Sequence, residues 1–407
     1  MAKMMLRGRA LALAGLFAVC GDAAAAEVCG GLPRLDVTTP AGFCMGVIAD
    51  KLNYPRGILP LPNGDLVVTE MGGWVAGHGA VSLFKRTADS YVQTVLFKGL
   101  NRPHSVQMGP DGLVYIGEVG RIFRFALRDP AGTAVDVIGG KSALPPLPGR
   151  GLHSLTSMLF DAERNLIVSV GSSSDHCEGA ENAAPAENQP CAEGEGKDGI
   201  ALLRKYVMRW PDGSVVSWDV HVRGLRNSVA MAVHPVTGAL WQADNGRDAM
   251  QAAIPTLKND NELPHDELNL VEKGAHYGWP YCYDSNVASP EYPATHCATY
   301  RAPTRLLPPH AAPLGMLFYT GKAFPPQYQH SLIMGLHGYR QHGHRIVALM
   351  PDKAGAPLGK MVDLVSGWRT GAHSTGAPVD VRQGADGFLY IADDRNGKLL
   401  RLQYTAP

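Results

Sequence analysis

Six stretches of the chain share one pattern: an apolar strand, a turn, and a second apolar strand. They cover residues 54–70, 102–118, 152–170, 225–244, 314–334 and 376–393. The segments LVVTE, LVYIGE and FLYIAD alternate with period two, as half-buried strands do. Several turns between the paired strands carry Asn-Gly or Asp-Gly, the dipeptides that tight hairpins favour. The units start roughly 50 to 90 residues apart, enough for a four-stranded blade plus loops. Six units predict an all-β fold, a six-bladed β-propeller around a central channel. A β-sandwich with coincidental hairpins is the rival. A parallel α/β fold fits less well, because no regular helical stripes lie between the strands.

Composition narrows this further. In 407 residues, 47 Gly and 30 Pro exclude coiled coils and long helices. Lys+Arg and Asp+Glu are both 37, so neither a nucleic-acid-binding excess nor an acidic tail is present.

The ends read differently from the middle. Lys3, Arg7 and Arg9 precede an apolar run from Leu11 to Val19, and small residues follow from Ala23 to Ala26. That is the layout of a secretory signal cleaved near Ala26. The expected organisation is a signal peptide at 1–26, an N-terminal extension at 27–49, the propeller at 50–402 and a tail at 403–407. No other stretch is long and apolar enough to span a membrane. The protein is expected in the periplasm or secreted. Beyond Cys20, six cysteines form local couples, 29 with 44, 177 with 191 and 282 with 297. Six cysteines allow fifteen pairings, and proximity favours these three. Metal ligation is the weaker reading, since no CxxC pair or Cys/His quartet is present.

In a propeller, the residues just before each inner strand face the channel mouth. Here they are Arg56, His104, His153, Arg226 with Asn227, and the stretch around Ala377. Converging cationic and imidazole groups repel one another unless an anion joins them. A planar polyanion would suit the set.

Longer motifs sharpen the reading: GLRNSVAMAVHPVTGALWQADNGRD at 224–248, DELNLVEKGAHYGWPYC at 266–282, and LNRPHSV at 100–106. In order and spacing they resemble the glucose/sorbosone dehydrogenase family, and the similarity runs roughly from residue 50 to 402. The resemblance implies a six-bladed propeller that binds pyrroloquinoline quinone (PQQ) and calcium at the channel mouth and oxidises sugars or related aldehydes and alcohols. It makes His153 the base that takes the hydroxyl proton while hydride leaves for the quinone. Leu152 stands where the better-known glucose enzymes carry an aspartate. Arg226 and Asn227 match the pair beside the quinone carbonyls. Backbone carbonyls of Gly246 and Arg247 match the family's calcium ligands, and the Arg247 side chain could meet a cofactor carboxylate. Arg56, His104, Arg340 and Arg369 are the remaining candidate cofactor contacts. Ala377 replaces an arginine common in the sixth blade.

Two other functions fit the architecture: a calcium-dependent lactonase-like hydrolase and a non-enzymatic ligand-binding propeller. The first lacks a convincing acidic set at the unit starts. No GxGxxG opens a βαβ unit, so NAD and FAD are poor candidates. The implied partners are a small sugar or aldehyde and a small exported cytochrome as electron acceptor.

Overall fold

The computed structural model describes residues 28–88, 90–149, 151–178, 189–368 and 376–405. Six antiparallel four-stranded sheets form the blades of a β-propeller. Their inner strands are Pro55–Pro60, Ser105–Met108, Ser157–Phe160, Ala230–Val233, Pro313–Phe318 and Pro378–Gln383. Each inner strand packs against the next, and the sixth against the first, so the ring closes. Every inner strand overlaps one of the six sequence units, the fifth starting one residue before its unit.

The hairpins form for the expected reason. Gly64, Gly112 and Gly387 sit at the turns with φ of +88°, +76° and +79°, which side-chain-bearing residues adopt at a cost. In blades 2 and 6 the turn aspartate also receives a tyrosine hydroxyl from the following strand. Tyr115 donates to Asp111 at 2.9 Å and Tyr390 to Asp386 at 2.8 Å.

Closure of the ring departs from the sequence boundaries. Phe43–Ala49, read as part of an N-terminal extension, pairs with Lys398–Tyr404 as the outer strand of blade 6. An N-terminal strand therefore completes the last blade and clasps the two ends of the propeller together. The expected signal peptide and its cleavage site lie outside the described residues. Among the described residues, no helix is long and apolar enough to cross a membrane.

The core is divided into wedges between neighbouring blades. Val67, Ile116 and Phe125 fill the wedge of blades 1 and 2, and Ile333, Ile346, Ile391 and Leu400 fill that of blades 5 and 6. Burying each such side chain contributes about 1.5–3 kcal/mol. Small satellite clusters also form. Two insertions, one within blade 3 and one before the outer strand of blade 4, meet around Cys191, Trp279, Tyr281, Tyr292 and Cys297.

All three proximal disulfides are formed: Cys29–Cys44, Cys177–Cys191 and Cys282–Cys297. Such bonds persist in oxidising compartments. Replacing both Cys282 and Cys297 by Ser is expected to lower stability by about 2–4 kcal/mol. Thermal unfolding reads this directly; an unchanged Tm would show that the aromatic cluster holds the insertion unaided.

Candidate active site

One end of the channel opens into a cavity of about 410 Å³. Its wall brings together Arg56, His153, Arg226, Asn227, Gly246 and Arg340 from the expected set. A repeated device aims the loops that carry several of them. The second strands of blades 1, 2, 4 and 6 end in Glu70, Glu118, Asp244 and Asp393. Each carboxylate accepts backbone N–H groups from the loop leading into its own blade. Asn53 donates to Glu70 at 3.0 Å, Asn101 to Glu118 at 2.6 Å and Ala377 to Asp393 at 3.2 Å. Asp244 takes two, from Arg226 at 2.8 Å and Asn227 at 2.7 Å. Burial pushes Asp244 up to about 7 and Asp393 up to about 6, against the pull of these donors. These acids hold loops in place rather than facing solvent.

His153 precedes the inner strand of blade 3. Its Nδ1 lies 2.8 Å from the Ser172 hydroxyl and 3.2 Å from the Ser172 carbonyl. The Ser172 hydroxyl donates to the Ser174 carbonyl at 2.6 Å, so towards the imidazole it accepts. The Ser172 carbonyl can only accept. Nδ1 therefore carries the proton and Nε2 keeps its lone pair. Burial, then the charge of Arg226, lowers the His153 pKa to about 3. The ring is neutral at physiological pH, as a general base must be.

Arg226 is buried and heavily engaged. It pairs with Asp175, and its Nη1 donates to the carbonyls of Asn245 at 3.2 Å and Gly246 at 2.9 Å. Its neighbour Asn227 lines the cavity with a side-chain amide that has no partner among the described residues.

Two expected contacts sit elsewhere. His104 lies below the mouth, where its Nδ1 accepts from Arg56 Nε at 3.2 Å. Burial, then Arg56, lowers its pKa well below the usual value. It buttresses Arg56 and lines a deeper, small cavity of about 20 Å³. The Arg247 side chain turns away from the mouth, because Glu291 of the blade 4 insertion binds its Nη1 at 2.6 Å. It lines a separate small cavity of about 30 Å³ with His176, Glu267 and Trp279. Arg369 lies outside the described residues.

The mouth cations are not mutually exposed charges awaiting an anion. Arg56 pairs with Asp394, Arg226 with Asp175, and Arg340 with Asp260 at 2.6 Å. The pattern of unit starts could not show this, because the acids come from other blades or loops.

Other mouth groups were not singled out from the sequence. His337 Nε2 lies 3.0 Å from Asp394 Oδ1. A carboxylate only accepts, so Nε2 carries the proton and Nδ1 is left as an acceptor. Burial raises the Asp394 pKa, but the His337 bond and the Arg56 charge outweigh it and bring the group to about 2. Arg56, His337 and Asp394 thus join blades 1, 5 and 6. Tyr54, Trp74, Tyr339 and Arg395 complete the rim.

The profile described as "Glucose / Sorbosone dehydrogenase" matches residues 145–401. The chain belongs to the glucose/sorbosone dehydrogenase family. It is also 24% identical over 383 residues to the aldose sugar dehydrogenase YliI of Escherichia coli (strain K12), covering 89% of this chain and 93% of that one. The fold is shared with the PQQ domain of pyranose dehydrogenase from Coprinopsis cinerea, at a TM-score of 0.68, 20% identity, and coverage of 91% and 98%. A Trichoderma reesei carbohydrate-active enzyme of family AA12 superposes with a TM-score of 0.70 at 18% identity, covering 92% and 99%.

Proposed function

We propose that this protein is a PQQ- and calcium-dependent dehydrogenase that oxidises a sugar, or a related aldehyde or alcohol, outside the cytoplasm. The observation that carries the reading is the neutral His153, with its Nε2 lone pair uncommitted, on the wall that also holds Asn227.

The mouth fits the cofactor in size and donors. A cavity of about 410 Å³ lies within the range of ordinary small-ligand pockets, about 300–1,000 Å³. Asn227 offers a free amide, Arg56 a free Nη2, and Arg395 a guanidinium with no carboxylate partner among the described residues. Arg340 stands beside them, and Arg226 supplies fixed positive charge. Calcium would take the carbonyls of Gly246 and Arg247. The Gly246 oxygen already accepts from Arg226, but a carbonyl has two lone pairs. Oxygen ligands of this kind suit calcium.

Bound PQQ would supply the electron sink. The chain's part is to orient the substrate hydroxyl toward His153 Nε2 and remove its proton there. As hydride departs, the carbon becomes electron-poor and its hydroxyl acidic, so an imidazole of low pKa suffices. Ser172 keeps Nδ1 protonated and the ring turned toward the cavity. A small exported cytochrome is the proposed electron acceptor, and a signal peptide within 1–26 the proposed export device.

The test is a titration of the mature protein with PQQ, with and without calcium and chelator, followed by a sugar and aldehyde panel with an acceptor dye. Calcium-dependent binding and dye reduction are expected. Binding without turnover on any substrate points to a ligand-binding propeller, and no PQQ binding by folded protein overturns the dehydrogenase reading.

A further inference from the structure

Among the described residues, three Phe, Trp or Tyr side chains are exposed: Tyr54 at 41%, Trp74 at 59% and Tyr339 at 63%. All three line the mouth cavity. Exposed rings elsewhere on the molecule would make this ordinary surface scatter; their confinement to the mouth does not.

The rings are held there. The carbonyls of Asn53 and Tyr54 accept from Gly72 N at 3.0 Å and Met71 N at 2.8 Å, which fixes the Trp74 loop alongside Tyr54. A side chain on Gly73 would come within 3.8 Å of the Tyr54 ring. Tyr54 itself has φ of +56°, a conformation a bulky residue adopts only when its surroundings impose it. Arg395 of blade 6 lies 3.5 Å over the Tyr339 ring of blade 5 and steadies it by a cation–π contact. The rings therefore form an arc whose ends stand on blades 1 and 5, with Arg395 of blade 6 beside Tyr339. His153, on blade 3, faces the arc from the opposite wall.

The composition of the arc favours a particular ligand. A sugar ring has a flat C–H face and a hydroxylated edge. Aromatic faces meet the first, and the exposed carboxylate of Asp248, which lines the same cavity, meets the second. A protein partner would need an interface of about 1,000 Å² or more, and three rings around a recess do not make one.

We propose that the aromatic arc is a carbohydrate subsite that stacks a second sugar ring, so that the protein prefers the reducing end of an oligosaccharide to a free monosaccharide. The proposal rests on the dehydrogenase reading for the placement of the reacting ring near His153. Its binding test does not need the cofactor.

Cofactor-free protein is titrated calorimetrically with glucose, maltose and cellobiose. The same sugars are then compared by dye reduction with the loaded protein. At least one disaccharide is expected to bind about tenfold more tightly than glucose, a factor that one added stacking contact supplies. Trp74→Ala is expected to abolish most of that ratio and to lower kcat/KM for the disaccharide about tenfold more than for glucose. Trp74→Phe keeps a ring and is expected to restore much of the ratio. Trp74 is exposed, so the variants should fold, and an unchanged Tm checks this. Equal binding of glucose and both disaccharides, no binding of any disaccharide, or a disaccharide preference untouched by Trp74→Ala would each overturn the subsite. Disaccharide preference without dye reduction from any sugar would instead sink the dehydrogenase reading and leave the subsite standing.

Discussion

His153→Ala is expected to lower turnover by about 10²–10⁴-fold while PQQ binding and Tm stay close to those of the parent. The imidazole contributes its Nε2 lone pair to the reaction and one Nδ1 hydrogen bond to the fold, so the kinetic effect should far exceed the stability effect. The pH profile adds a sharper check. His153 titrates near 3 in the folded protein, below its usual value of about 6.5, so from pH 5 upward it is already neutral. Activity should show no acid limb near pH 6.5 from this group. The linkage has a definite sign. Between pH 6.5 and 3 the unfolded chain holds a proton here that the folded chain refuses, so this group's contribution to stability falls as pH falls through that window. His276, lowered to about 4 chiefly by burial, acts in the same direction. Ser172→Ala removes the hydroxyl acceptor of the Nδ1 proton but leaves the Ser172 carbonyl, so the Nδ1–H tautomer is kept. It should cost far less than His153→Ala, and nitrogen NMR of the ring should show the tautomer unchanged. Full activity in His153→Ala, with an unaltered pH profile, would remove His153 from the mechanism.

What the sequence revealed follows from which contacts are local. The paired inner strands were legible because alternation and Asp-Gly or Asn-Gly turns are written in adjacent residues. The proximal disulfides were legible for the same reason. Phe43–Ala49 was not, because its partner strand Lys398–Tyr404 lies some 350 residues away, and nothing in FCMGVIA names that partner. The mouth residues that precede inner strands were found from their place in the repeat. Their charge partners were missed: Asp175 sits in an irregular insertion, and Asp394 follows a strand end that reads as a turn. The side chain of Arg247 was misplaced because its partner Glu291 belongs to a disulfide-closed loop without a repeat pattern. A signal did exist for the acids that end the second strands. Four units finish in Glu or Asp at an otherwise apolar strand end, and a buried carboxylate there demands N–H donors.

Asp394→Ala should produce the largest loss of stability. Asp394 is 6% exposed and binds both His337 and Arg56, itself 4% exposed. Removing the carboxylate leaves Arg56 buried with His104 as its one remaining partner, and breaking a buried pair from one side costs about 3–5 kcal/mol. The damage also falls at the seam. Arg56 belongs to blade 1, Asp394 to the end of blade 6 and His337 to blade 5, so the pair ties the first blade to the last beside the closing strand. The double variant Arg56→Met with Asp394→Leu separates charge from scaffolding. Replacing both partners by apolar side chains removes the orphaned cation and should recover most of the lost stability. It should not recover PQQ binding, since the mouth then lacks the Arg56 guanidinium. A Tm in the double variant as low as in Asp394→Ala would mean that His337, left without its acceptor, is the dominant loss. Recovery of both stability and cofactor binding would instead place the PQQ contacts elsewhere on the wall, at Asn227, Arg340 and Arg395.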